Sequence, residues 1–248
     1  MNFIGTHKIK LNVAESTNSS LKEMVKNELL PEGTLLVTDN QTKGRGQMNS
    51  GWISEEFKNF TGTYLLKPEI ELENFFVINL ITSLAVKSVI EDYIGDEKAI
   101  TIKWPNDILV DGKKIAGILI ENQVKSKQVS NCFIGIGLNI NQTFFPSFKR
   151  AATSVSNEIL EDVVIDELID KLSIHLQQFY MLFKTKGAKP LLNLYLDALY
   201  LKQEWAHFLI PEQAKLMIVG ISENGMLSLK NEQNEVSNFG IKEIEFLL

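Results

Sequence analysis

Residues 103–121 read KWPNDILVDGKKIAGILIE. Asp111-Gly112 stands between the apolar runs 108–110 and 115–120. An Asp-Gly pair between apolar strands is a hairpin signal, because a tight turn needs positive φ there. Pro105 lacks a backbone donor and pushes Trp104 towards an extended conformation. Lys103, Asn106 and Asp107 are therefore expected where a strand breaks, with Lys113 and Lys114 just past the turn. This sets several polar groups beside buried strands, which a plain core does not need.

A strand at 99–103 feeds this stretch. Before it, Val77, Leu80, Ile81 and Leu84 fall at i, i+3, i+4 and i+7, predicting a helix over 76–94 whose apolar stripe is core and needs no cofactor. A strand is expected at 61–66. Residues 41–52, QTKGRGQMNSGW, hold Gly44, Gly46 and Gly51 among polar and basic side chains. Such a loop lets backbone approach a ligand closely and suits an anionic group; a surface loop with no ligand, lacking fixed form, is the alternative. It has neither a Gly-Lys-Ser/Thr ending nor the Gly-x-Gly-x-x-Gly pattern, so Walker and dinucleotide readings are excluded. Further upstream come strands at 3–13 and 34–38, a turn at 31–33 and a helix at 19–30. Glu15-Ser16-Thr17-Asn18 precedes that helix. Its oxygens suit helix capping, or a small polar ligand at the helix N-terminus.

Downstream, a strand is expected at 129–140. It carries Gly135-Ile136-Gly137-Leu138-Asn139, whose small residues let something pack close. Asn139 is either a turn residue or a ligand contact. Residues 141–153 read as irregular, 165–183 and 191–202 as helices. His175 sits beside the apolar face of the first of these, and His7 and His207 are too scattered for a metal cluster. The last segment changes character, with strand-like runs at 216–219, 226–230 and 235–246 and an Asn224-Gly225 hairpin turn. It reads as a small β-barrel or sandwich appended to an α/β or α+β main domain.

At 248 residues the chain can hold one large core and a small second domain. With 44% hydrophobic and 23% charged residues it has an ordinary globular composition. A net charge of -6 gives no global basic field to attract nucleic acid. The single cysteine, Cys132, excludes an internal disulfide and a multi-cysteine metal site. The apolar run 75–90 is short for a membrane span and interrupted by Asn79, Thr82, Ser83 and Lys87. A cytoplasmic protein with no membrane partner is expected.

Lys43, Arg45, Lys103, Lys113 and Lys114 lie beside Gly-rich turns, Trp52 and Trp104 offer aromatic platforms, and no Ser-His-Asp or Cys-His arrangement is apparent. Positive charge preorganised beside a phosphate stabilises the charge that develops in phosphoryl or adenylyl transfer. Asp107 suits Mg²⁺ or the orientation of an incoming amine. The residues alone point to a nucleotide or phosphoanhydride ligand.

Five motifs occur together in order across residues 16–139: Ser-Thr-Asn, Gln-x-x-Gly-Arg-Gly with its Trp, Lys-Trp-Pro-Asn-Asp, Lys-Ile-Ala-Gly-Ile-Leu-Ile-Glu and Gly-Ile-Gly-Leu-Asn. Together they resemble biotin–protein ligases. The resemblance implies an α+β fold: a mixed-sheet catalytic domain at 1–200 and a small C-terminal SH3-like β-barrel domain at 201–248. It implies activation of biotin by MgATP to biotinyl-AMP. Transfer then follows to a lysine on the biotin carboxyl carrier domain of a biotin-dependent carboxylase, with no covalent enzyme intermediate. By position, Ser16, Thr17, Asn18, Gln41, Gly44, Arg45, Gly46, Lys114, Gly117 and Ile118 resemble the biotin contacts. Gln47, Trp52, Lys103, Asn106, Lys114 and Asn139 resemble the adenylate contacts, with Trp52 covering adenine. Lys114, Arg45 and Asp107 are the expected catalytic groups, Lys114 foremost and the role of Asp107 open. The residues that hold Mg²⁺ are not specified.

Two departures follow. Gln47, Met48 and Asn49 stand where many relatives carry Arg, Arg and Gly, so a leakier adenylate is expected, with Lys43 or Arg45 compensating. The ligase-like strand begins so early that the form without an N-terminal DNA-binding domain is expected, and with it no DNA partner. A homodimer is left open. The rival readings are a lipoate or octanoyl ligase or transferase of the same fold, a non-enzymatic biotin-responsive regulator, and a generic nucleotide hydrolase.

Overall fold

The computed structural model describes residues 3–47, 51–146, 150–222 and 224–247. Eight strands form one sheet: β1 (Lys8–Ala14), β2 (Leu35–Gln41), β3 (Phe60–Leu66), β4 (Ile70–Glu71), β5 (Ile100–Lys103), β6 (Asp107–Val110), β7 (Lys113–Lys125) and β8 (Gln128–Leu138). The order is β1-β2-β3-β8-β7-β6-β5, with β4 also paired to β8. Only β1 and β2 run parallel, so the sheet is mixed. Its helices are α1 (Thr17–Asn27), α2 (Phe76–Ile94), α3 (Val155–Ile159), α4 (Ile165–Lys186) and α5 (Ala188–Asp197).

Side chains alternate across a strand, and here both faces are covered. Leu36, Leu65 and Phe133 pack with Leu21 and Leu30 beneath α1. Their neighbours Leu35, Tyr64, Leu66, Cys132 and Ile134 belong to the larger core under α2, α4 and α5. The apolar segment Leu72–Ile94 is long enough to cross a membrane, but 72% of its most apolar window is buried inside the protein. It is the central core helix.

A second, antiparallel sheet follows, with β9 (Trp205–Ile210), β10 (Glu212–Ile221), β11 (Leu227–Lys230), β12 (Val236–Phe239) and β13 (Glu245–Phe246) in the order β12-β11-β10-β9-β13. It is tied to the main sheet by Trp104, whose Nε1 donates to the Gly225 carbonyl at 3.0 Å. The α+β class with a separate C-terminal β unit is as the resemblance implies.

Several boundaries differ from the sequence reading. The first helix begins at Thr17, two residues early, because its N-terminal N–H is satisfied from outside: Thr17 N donates to Gln41 Oε1 at 2.9 Å. Strand β7 runs to Lys125, beyond the apolar run, because it turns back into β8 at Ser126 and Lys127. Both turn residues take positive φ, at 50° and 69°, without glycine to signal it. The strand β9 went unread because only Phe208 in it is buried. The run 235–246 is two strands, β12 and β13. At the Asp111-Gly112 turn both residues do have positive φ, 47° and 77°, and the Trp104–Pro105 peptide is cis.

Candidate active site

A cavity of about 930 Å³ opens on the α1 face of the main sheet, between α1, residues 45–47 and 51–53, and the C-terminal unit. Its floor is made by β7 and β8. There Gly117 pairs with Gly137, and Gly135 with Leu119. Gly135 lies against the Asn18 amide, and a Cβ on Gly137 would overlap the Trp52 indole. The floor is thus bare of side chains where the other face of these strands is packed with Ile118, Ile134 and Ile136.

A β-bulge aims Lys114 into this space. Ile108 pairs with Ala116, but Leu109 pairs with Lys114, so Ile115 is the extra residue. Ile115 and Ala116 are both fully buried in the main core. A regular strand would send Lys114 to the face opposite Gly117; the bulge returns it to the cavity. Lys114 Nζ then sits 2.7 Å from Asp107 Oδ1 and 5.8 Å from the centroid of the Trp52 ring. Its backbone is held on the other side by Lys114 N to Ala151 O (2.8 Å) and Thr153 N to Lys114 O (2.9 Å).

The neighbouring motif is clamped from several directions. The Pro105 carbonyl accepts from Asn79 Nδ2 at 2.9 Å and Tyr195 Oη at 3.0 Å. Asn106 donates its side-chain amide to the Ile118 carbonyl, and Asn139 donates to Thr153 O at 2.9 Å. Lys103 Nζ lies 4.6 Å from the Phe246 ring centroid, so the C-terminal unit closes this end.

At the other end a polar chain joins the loop to α1. Gln41 Oε1 accepts from Thr17 N, Thr17 Oγ1 lies 2.8 Å from Thr63 Oγ1, and Thr63 Oγ1 lies 2.7 Å from Asn18 Oδ1. Asn18 Nδ2 donates to Leu119 O at 3.2 Å and Glu121 Oε2 at 2.7 Å. Ser16, the N-cap residue, makes no side-chain cap bond; capping therefore does not explain the Ser-Thr-Asn cluster. Lys22 lies 2.7 Å from Glu121. Burial pushes the Glu121 carboxyl up, but Lys22, Asn18 and Arg45 together hold it below its ordinary range.

Every residue that the resemblance assigns to biotin, the adenylate or catalysis lines the cavity except Gly44, which lies beside Gln41 and the Trp52 carbonyl; of the basic cluster, Lys43 and Lys113 do not line it. Arg45 and Gly51 pair as an antiparallel bridge. Met48 and Asn49, on which part of the loop reading rests, lie outside the described residues. Lys43 pairs with Glu15 at 2.7 Å. Sequence reasoning missed Arg150, Ala152 and the C-terminal residues Ile241 to Phe246, all on the cavity wall. Arg150 stands in the irregular stretch, where no period or motif marks it. It donates from Nη1 to Gly112 O at 2.8 Å, and its buried Nη2 has no hydrogen-bond partner among the described residues. The buried Trp52 Nε1 likewise has none among the described residues. Two orphaned donors at one cavity indicate a site built for a polar ligand.

Glu158 braces the segment behind Lys114, with Lys98 and Lys113 near its carboxylate. Burial raises its pKa, but Lys98, Thr153 and Lys113 outweigh that and leave it lowered from 4.5. A lowered folded-state pKa gives stability that is full above the unfolded value and lost as pH falls through the folded one. Glu158→Gln is therefore expected to lower stability at neutral pH, with the gap to wild type closing as pH falls below 4.5. Urea denaturation at stepped pH measures it; a gap independent of pH refutes it.

Residues 11–139 match the model of the biotin/lipoate A/B protein ligase family. The chain is 37% identical over 191 residues to the bifunctional ligase/repressor BirA of Bacillus subtilis, covering 76% of this chain and 58% of that protein. It is 27% identical over 186 residues to the biotin–[acetyl-CoA-carboxylase] ligase of Paracoccus denitrificans, covering 73% and 76%. In structure it is similar to the biotin protein ligase from Aquifex aeolicus in complex with biotin and ATP. The TM-score is 0.82 at 27% identity, over 98% of this chain and 99% of that one.

Proposed function

The chain belongs to the biotin/lipoate A/B protein ligase family, and on that premise we propose that it is an ATP-dependent biotin–protein ligase. In the first half-reaction the biotin carboxylate attacks the α-phosphorus of ATP and pyrophosphate leaves, giving biotinyl-AMP. In the second, the lysine amine of a biotin carboxyl carrier domain attacks the mixed anhydride, AMP leaves, and an amide forms.

The observation that carries this reading is the bulge-directed Lys114, paired with Asp107 over a glycine floor. A fixed ammonium near the acyl phosphate stabilises the negative charge that grows there as the bonds exchange. Asp107 orients that ammonium and, when the amine arrives, is suited to receive its proton. The bare floor at Gly117, with the Ile118 backbone beside it, suits the fused rings of biotin. Ser16, Thr17, Asn18 and Gln41 would bind its ureido end, with Gly44, Arg45 and Gly46 above it. Trp52, Lys103, Asn106, Asn139 and Gln47 would serve the adenylate. Mg²⁺ would be carried with the nucleotide phosphates, as suits its preference for phosphate and water ligands.

The acceptor would be a carboxylase carrier domain, met in the cytoplasm, and residues 1–200 and 201–248 would act as catalytic and C-terminal domains. ATP–pyrophosphate exchange with biotin, with lipoate and with neither tests the reading. Exchange only with lipoate moves the substrate to the rival; biotin binding without exchange, joined to sequence-specific DNA binding, favours a regulator. The Gln47 departure has its own test: release of free biotinyl-AMP is expected to fall in Gln47→Arg, and equal release from both proteins removes the leak.

A further inference from the structure

The Asp107 carboxylate can steady Lys114 only if it is itself held, and what holds it comes from behind the sheet. Asp107 is the first residue of β6, reached from Lys103 through the turn Trp104-Pro105-Asn106. Each turn residue is tied to a different part of the fold. Trp104 donates to Gly225 O of the C-terminal unit. Asn106 exchanges two bonds with Ile118: Ile118 N donates to Asn106 O at 3.1 Å, and Asn106 Nδ2 donates to Ile118 O. Pro105 has no N–H to give, and its carbonyl takes two side-chain donors, Asn79 Nδ2 of α2 and Tyr195 Oη of α5. Both donors are buried, Tyr195 wholly, and neither lines the cavity. The Tyr195 ring packs edge-on against Phe76, 6.0 Å between centroids. A phenylalanine would serve that packing equally, so the hydroxyl answers the carbonyl.

We infer that Tyr195, with Asn79, is a positioning residue that sets Asp107 and, through Asp107, the Lys114 ammonium. The peptide plane that carries the Pro105 carbonyl also carries the Asn106 N–H, so fixing the oxygen fixes the entry of the chain into β6. Asp107 follows Asn106 directly, with its carboxylate 2.7 Å from Lys114 Nζ. A lysine ends in a point charge on a flexible stem, so the ammonium settles where the carboxylate stands. Two helices of the main core thus place a charge in a cavity that their own side chains here do not reach. Burial and, after it, the Asp107 carboxylate push the Tyr195 hydroxyl far above its ordinary range, so it remains a donor through the working pH range. The reaction that Lys114 serves rests on the ligase reading; the path from Tyr195 to Lys114 does not.

Tyr195→Phe is expected to lower kcat of biotin-dependent pyrophosphate exchange about ten-fold, with KM for biotin within about two-fold of wild type. Tyr64→Phe is the control. It removes another wholly buried hydroxyl, 2.8 Å from Ser173 Oγ, so it should cost similar stability to urea while kcat holds. In an Asp107→Asn background, Tyr195→Phe should add little. Ligand-free protein gives a reading that needs no turnover: acetylation of Lys114 by acetic anhydride, followed by mass spectrometry. An ammonium released from its carboxylate gives up its proton more readily. Labelling is therefore expected to rise about three-fold in Tyr195→Phe, at least as much in Asp107→Asn, and not in Tyr64→Phe. An unchanged kcat in Tyr195→Phe, an equal loss in Tyr64→Phe, additivity with Asp107→Asn, or unchanged Lys114 labelling overturns the proposal. Should Tyr195→Phe fold poorly, Asn79→Leu removes the other donor to the same carbonyl and is judged by the same readings. Absence of exchange in wild type would sink the ligase reading and leave the labelling to decide the positioning.

Discussion

Lys114→Ala is expected to lower biotin-dependent pyrophosphate exchange by about 10²–10³-fold, the range found when one preorganised group opposite a developing negative charge is removed. The side chain is 31% exposed and ends on a single carboxylate, so its loss should leave the melting temperature close to wild type. The loss should fall on kcat more than on KM for biotin, because the negative charge around the α-phosphorus grows as the carboxylate attacks and pyrophosphate leaves. Lys114→Arg is not a rescue: the planar fork cannot sit as a point charge beside Asp107 in the same space. A rise in KM with kcat unchanged would mean that Lys114 binds substrate and nothing more. Retained exchange in both variants would remove it from the mechanism.

Gly137→Val is expected to cost about 100-fold in the same assay, a loss of the size that follows a displacement of about 1 Å in the reacting geometry. A Cβ at this position meets the five- and six-membered rings of Trp52. The neighbouring glycine, Gly117, is equally close to the Lys114 ammonium and to Trp52, at 3.2–3.3 Å from its own virtual Cβ. Trp52 must leave the floor, and Lys114 loses the ring beside it. Tryptophan emission should shift to the red, since Trp104 is buried and Trp205 is already exposed, leaving Trp52 as the side chain that moves. Gly220→Ala serves as the control, with nothing within 4 Å of its virtual Cβ. Normal exchange in Gly137→Val, or an unshifted spectrum, would show that the floor tolerates a side chain.

The parts of this molecule that could be read ahead are those whose cause is local. The Asp111-Gly112 turn and the helix over Phe76–Ile94 each depend on neighbours in the chain, while the five motifs were legible through the family resemblance. What escaped depends on distant partners. The start of α1 is set by Gln41 from another strand. The outlook of Lys114 is set by a register shift against β6, which no period of the sequence displays. Arg150 reaches the wall from an irregular stretch, and the C-terminal wall is joined to the main sheet by long-range contacts such as the bond from Trp104 to a carbonyl 121 positions away and Lys103 over the Phe246 ring. Motif reading found side chains that line the cavity; it had no means to find those that hold the wall behind them.

The burial of Cys132 has a practical consequence. It is the only cysteine in the chain, wholly enclosed at the centre of β8, and burial pushes its thiol far above the ordinary range. A maleimide or a spin label would pass the native protein by. A cysteine introduced at exposed Lys43 would then be the one reactive thiol, so the glycine loop can be tagged and followed without first stripping the background.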